Sequence, residues 1–146
     1  GRVAEARAAL LAAFTAWRND AWPTTTVQAR AFDLASELAA ADSETATALF
    51  AALRAGPLPG YVMEAARGLT LTRLAACQAL DGKVAGAEAY ALFEPWPNWT
   101  RDFLKTRYAF YQTTGKGDAA LARAQLAEFL AADTASFSRG LATSIK

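Results

Sequence analysis

Alanine makes up 38 of the 146 residues, in short runs broken by Gly, Pro and Asp at the interval of a helical hairpin. It has the best helix propensity and almost no side-chain entropy to lose, so each run is biased to helix before any tertiary contact forms. Small side chains also let neighbouring helix axes approach closely. The pattern predicts an all-α chain of thin helices packed in antiparallel pairs.

The rest of the composition narrows the class. At 53% hydrophobic and a net charge of +1, the chain has the size and apolar content to bury a core of its own. Residues 1–73 carry seven basic and seven acidic side chains, and residues 74–146 carry eight and seven. This even spread leaves no polyanion footprint, so no nucleic-acid partner is expected. No segment approaches 18 uninterrupted apolar residues and no signal-peptide pattern is present, so no membrane insertion is expected. The start at Gly1 rather than Met suits a piece of a longer protein, and the Ala- and Arg-rich, Lys-poor balance suits a bacterial one, in the cytoplasm or periplasm.

Missing residue types exclude chemistry. Without histidine there is no Ser-His-Asp or Cys-His arrangement, and the commonest transition-metal ligand is gone. One cysteine, Cys77, makes neither an internal disulfide nor a thiolate zinc site, and its run Leu74-Ala75-Ala76-Cys77 reads as a small core residue before it reads as a reactive thiol. Gly115-Lys116-Gly117-Asp118 lacks the strand and spacing of a phosphate loop. No cofactor and no metal are expected.

Periodicity and breakers divide the chain into seven or eight helical segments. In residues 2–18, Val3, Leu10, Leu11, Phe14 and Trp17 share a face, and Trp22-Pro23 breaks the segment. Thr25-Thr26-Val27-Gln28 has the form of a capping box opening residues 25–41, with Val27, Ala31, Leu34 and Leu38 inward. Asp42 caps a segment carrying Leu49, Phe50 and Leu53; Gly56-Pro57-Leu58-Pro59-Gly60 then makes the best internal boundary of a single domain spanning 1–146. Residues 61–80 show two apolar stripes, Val62, Ala65, Leu69 and Ala76, then Leu71, Leu74 and Gln78. After the Asp81-Gly82 turn comes a short helix with Val84, Ala87, Tyr90 and Phe93, ended by Pro95 and Pro97. Asn98 is placed to cap residues 99–113, again with two stripes, Trp99, Phe103 and Phe110, then Leu104, Tyr108 and Tyr111. Asp118 caps a helix with Leu121, Ala122, Leu126, Phe129 and Leu130, and a last piece covers residues 134–141.

Gly82-Lys83 recurs as Gly115-Lys116, and each glycine turn joins a two-striped helix to a shorter alanine-rich one. With Gly117-Asp118-Ala119-Ala120-Leu121-Ala122, then Leu126 and Leu130-Ala131-Ala132-Asp133, residues 69–137 resemble the tetratricopeptide repeat family, whose helical pairs stack into a right-handed superhelix. The resemblance puts Ala122 at a close helix contact. Phe110, Phe129 and Thr134 depart from the family's pattern, Thr134 standing where proline is usual.

Such stacked hairpins would use the concave face lined by the first helix of each pair. The resemblance makes Arg101, Lys105, Arg107, Tyr108 and Tyr111 candidate contacts in one unit, and Arg67, Thr70, Arg73 and Gln78 in the preceding one. Tyr108 and Tyr111 are equally readable as core, and the arginines as a solvated face. Trp96 and Trp99, around Pro97-Asn98, would either rim a ligand or plug a junction between hairpins. The resemblance implies a non-catalytic interaction or scaffold module that binds a peptide or partner surface in its groove. The alternatives are a small-ligand sensor or carrier with an aromatic pocket of Tyr90, Trp96, Trp99 and Tyr108, and an enzyme using Glu64 or Asp102, neither of which has a second acid one turn away.

Overall fold

A computed structural model describes residues 1–20, 25–77 and 79–144, with side chains described to Ala132 except that of Thr25. Among these residues there are seven helices and no strand: α1 (Arg2–Trp17), α2 (Thr25–Ala41), α3 (Ser43–Arg54), α4 (Tyr61–Ala75), α5 (Gly82–Ala91), α6 (Arg101–Thr114) and α7 (Ala119–Ser144). None of them is long and apolar enough to cross a membrane. The chain divides into two compact units, Gly1–Trp96 and Pro97–Lys146. The division falls at the proline-flanked Trp96 rather than at residues 56–60.

Local chemistry explains most helix ends. Asp42 accepts the Thr45 N–H at 2.8 Å, Asp81 accepts those of Lys83 and Val84 at 3.0 and 3.3 Å, and Asp118 accepts that of Leu121 at 2.9 Å, each satisfying an orphan first-turn donor. Asn98 does not cap α6, whose N-cap is Thr100 without a side-chain bond. Gln28 does not close a capping box either. It is buried, with neither amide atom hydrogen-bonded among the described residues, and Trp22-Pro23 lies outside them. α4 ends at Ala75, five residues before Leu80, where the Ala76 and Cys77 N–H groups fold back onto the Arg73 and Leu74 carbonyls. Residues 134–141 are not a separate piece. No proline or glycine stands between Asp118 and Gly140, so α7 continues through Thr134.

In the first unit α2 packs against α1, α3 and α4, α1 also against α3, and α4 against α3 and α5. Its core holds Leu10 and Phe14 of α1, Leu49, Phe50 and Leu53 of α3, and Met63, Leu71 and Leu74 of α4. α2 turns a different face inward from the one its large aliphatics suggest. Gln28, Phe32, Ala35 and Ala39 are buried, whereas Val27 is 62% exposed and Ala31, Leu34 and Leu38 are half-buried. A helix with three neighbours places its smallest residues at the tightest contacts, so Ala35 and Ala39 outrank Leu34 and Leu38 for the interior. The same holds for the Val62 stripe of α4, since Val62 is exposed while Met63, Arg67, Thr70 and Leu74 are buried.

Residues 56–60 are bound into this unit. Leu58 is buried and its N–H donates to Glu64 Oε2 at 3.0 Å. Arg67 grips both oxygens of the same carboxylate, donates to the Leu53 carbonyl at 2.7 Å, and stacks its guanidinium 4.9 Å from the Phe93 ring centre.

The second unit pairs α6 with α7 around Phe103, Leu104, Tyr111 and Ala122. Ala122 is wholly buried, in keeping with a close helix contact. Gly115, at φ 67°, ends α6 in the left-handed conformation that glycine adopts without a Cβ penalty.

Candidate functional site

Among the described residues, two concavities stand out on the first unit. The larger, about 630 Å³, lies where the C-terminal end of α2 turns into α3 beside the end of α4. Ala39, Ala40 and Ala41 form one wall, Asp42 and Ser43 the corner, and Arg73, Ala76, Cys77 and Ala79 the other wall. The groove exists because these helices carry methyl groups where most helices carry longer side chains. A single residue, Asp42, separates α2 from α3, and its backbone N–H and carbonyl bond to Leu38 and Ala46, so the corner is fixed at both ends.

Charge around the groove is partly committed. The Asp42 carboxylate is held below the ordinary carboxylate range first by Thr45, whose backbone N–H donates to it at 2.8 Å, and then by Arg7 at 3.8 Å. Arg7 is in turn pushed up chiefly by its hydrogen bond with Glu44, at 2.9 Å. Arg73 is exposed and, among the described residues, no carboxylate pairs with it. Cys77 is half-buried at the wall rather than in the core, its Sγ 3.7 Å from the Arg73 carbonyl. Burial pushes its thiol up, which lowers the thiolate fraction and weighs against a reactive nucleophile.

The smaller concavity, about 280 Å³, separates α3 from α5. Phe50, Val84 and Ala85 line it, and Arg54 spans it to Glu88 at 2.5 Å. Among the described residues no three Cys, Asp or Glu side chains cluster as metal ligands would.

Of the contact residues expected from sequence, Arg73 alone among those described lines the larger groove. Arg67 and Thr70 are buried inside α4's packing face, and Gln78 lies outside the described residues. In the second unit Arg101 and Lys105 are exposed and Tyr108 is half-buried. Arg107 and Tyr111 do not offer an accessible surface, at 1% and 4% exposure. Arg107 donates to Gln125 Oε1 at 2.6 Å across to α7 and lies 5.3 Å from the Tyr111 ring centre, so the pair joins helices. Trp96 is 85% exposed, whereas Trp99 packs edge-on against Phe129 at 6.2 Å. Tyr90 and Trp96 belong to the first unit, Trp99 and Tyr108 to the second.

Sequence reasoning missed the groove because it searched for large or charged contact residues, and the groove is made by alanines. The available signal was Ala39-Ala40-Ala41-Asp42, an alanine run ending in a capping residue, 35 residues before a second Ala76-Cys77 helix end. No family model matches the chain, and neither a curated protein nor a solved structure matches it.

Proposed function

We propose that the chain is a non-catalytic protein-interaction module, part of a larger bacterial protein or complex, that seats a peptide segment of its partner in the groove between the α2–α3 corner and the end of α4. The observation that carries this reading is an open groove of about 630 Å³ walled by alanines, which admits a main chain close to the helix axes. A sensor would enclose an apolar ligand; this groove is open and mixed in polarity. The contact order α1 with α3 and α2 with α4 is what stacked hairpins produce, and together with the tetratricopeptide resemblance it supports a superhelical arrangement of the helices in the first unit.

Filling the groove tests the proposal. Ala40 and Ala76 are exposed, so Ala40→Trp and Ala76→Trp occupy the groove at little cost in stability. Wild type and both variants, shown to melt alike, are compared for proteins retained from source-cell extract. A partner retained by wild type and lost by both variants supports groove binding. Identical retention by all three overturns it.

A further inference from the structure

Resting on that reading, we infer that the groove recognises an extended segment carrying an acidic side chain, and that Arg73 is the residue that selects it. Among the described residues lining the groove, two carry charge, Asp42 and Arg73. Asp42 is already engaged by Thr45 and Arg7. Arg73 is without a carboxylate partner among the described residues. Two carbonyls at its own helix end, those of Arg73 and Leu74, are taken up by the Ala76 and Cys77 N–H groups. What remains is one uncommitted guanidinium facing an alanine-walled space. A planar fork of fixed donors matches a carboxylate better than any other peptide side chain, and here it has none. The alanines supply no shape that would select a large apolar side chain, so charge is the discriminating feature of the groove. Exposed as it is, Arg73 acts mainly on selection rather than on total affinity.

The test is selection of random internal heptapeptides displayed on phage against three proteins: wild type, Arg73→Gln and the groove-filled Ala40→Trp. The expected result is an enriched Asp or Glu at one fixed position with wild type, loss of that acidic enrichment with Arg73→Gln, and loss of all enrichment with Ala40→Trp. Enrichment that Ala40→Trp abolishes but that carries no acidic position, or an acidic position that survives Arg73→Gln, overturns the inference while leaving the groove in place. Enrichment on wild type that Ala40→Trp leaves intact, or no enrichment on wild type, overturns the groove reading and the inference with it.

Discussion

Gly117 sits so close to the ring of Tyr111 that a Cβ added to it would lie 2.6 Å from two ring carbons. The tyrosine is buried at the end of α6, and Gly117, at φ 92°, carries the chain past it towards α7. Close approach and left-handed backbone thus both require glycine at this one position. The Gly115-Lys116-Gly117 string, read by itself, is only a turn; the structure makes its second glycine a packing residue.

Gly117→Ala is therefore expected to destabilise the second unit by more than the left-handed penalty of about 1–2 kcal/mol, because the ring must also move. Gly115→Ala meets no atom within 4 Å and should show the backbone penalty alone. Urea denaturation of both variants checks this. Equal losses would mean that Tyr111 yields freely.

The buried Arg67 depends on its carboxylate partner. Glu64→Ala removes the carboxylate that Arg67 grips and leaves a guanidinium at 3% exposure, which should cost about 3–5 kcal/mol. Replacing both partners, as in Glu64→Leu with Arg67→Met, should restore much of that loss, since no buried charge then remains. Thermal melts of the single and double variants form the cycle. A double variant no better than Glu64→Ala would show that the Leu53 carbonyl and Phe93 contacts, not the charge, hold this corner together.

The breaks at Asp42, residues 56–60, Asp81-Gly82, Pro95 to Pro97 and residues 115–117 were legible because Asp, Gly and Pro act locally, through caps and missing donors that depend on a few neighbours, whereas the expected break before residue 134 is absent from α7. Which face each helix buries was less legible. In α6 the buried set Phe103, Leu104, Arg107 and Tyr111 is one stripe with an arginine in its middle, and a hydrophobic pattern assigns that arginine to solvent. The signal was its spacing, four residues from an aromatic on either side, with Gln125 on the facing helix to receive it. In α2 the large aliphatics mislead because three neighbours compete for the helix, and the winning contacts use alanine. The groove was illegible for the same reason. Alanine carries information about distance between helices, not about chemistry.

Gln28 offers a test of the opposite sign. It is 1% exposed in the first turns of α2, and among the described residues neither its Oε1 nor its Nε2 has a hydrogen-bond partner. A buried amide without partners carries its full desolvation penalty, so Gln28→Met, of similar length and shape, should stabilise the protein by about 1–3 kcal/mol. A higher denaturation midpoint at unchanged slope is the expected result. A lower midpoint would mean that the amide is hydrogen-bonded in solution, to water or to the preceding turn.

Acid should weaken the α2–α3 corner in a way that one residue accounts for. The Asp42 carboxylate is held below its ordinary value of 3.8 by Thr45 first and by Arg7 after it. A carboxylate whose native pKa is depressed contributes stability that is fully present above its unfolded value and is lost as pH falls through the native one. Asp42→Asn keeps an oxygen to accept the Thr45 N–H but does not titrate. The difference in melting temperature between wild type and Asp42→Asn should thus be constant from about pH 7 to pH 5 and shrink below about pH 4. Because Arg7 contributes through space, added salt should reduce the difference at neutral pH while leaving the backbone cap intact. A difference that stays constant down to about pH 2 would assign the stabilisation to the neutral hydrogen bond and remove the carboxylate's charge from the account of this corner.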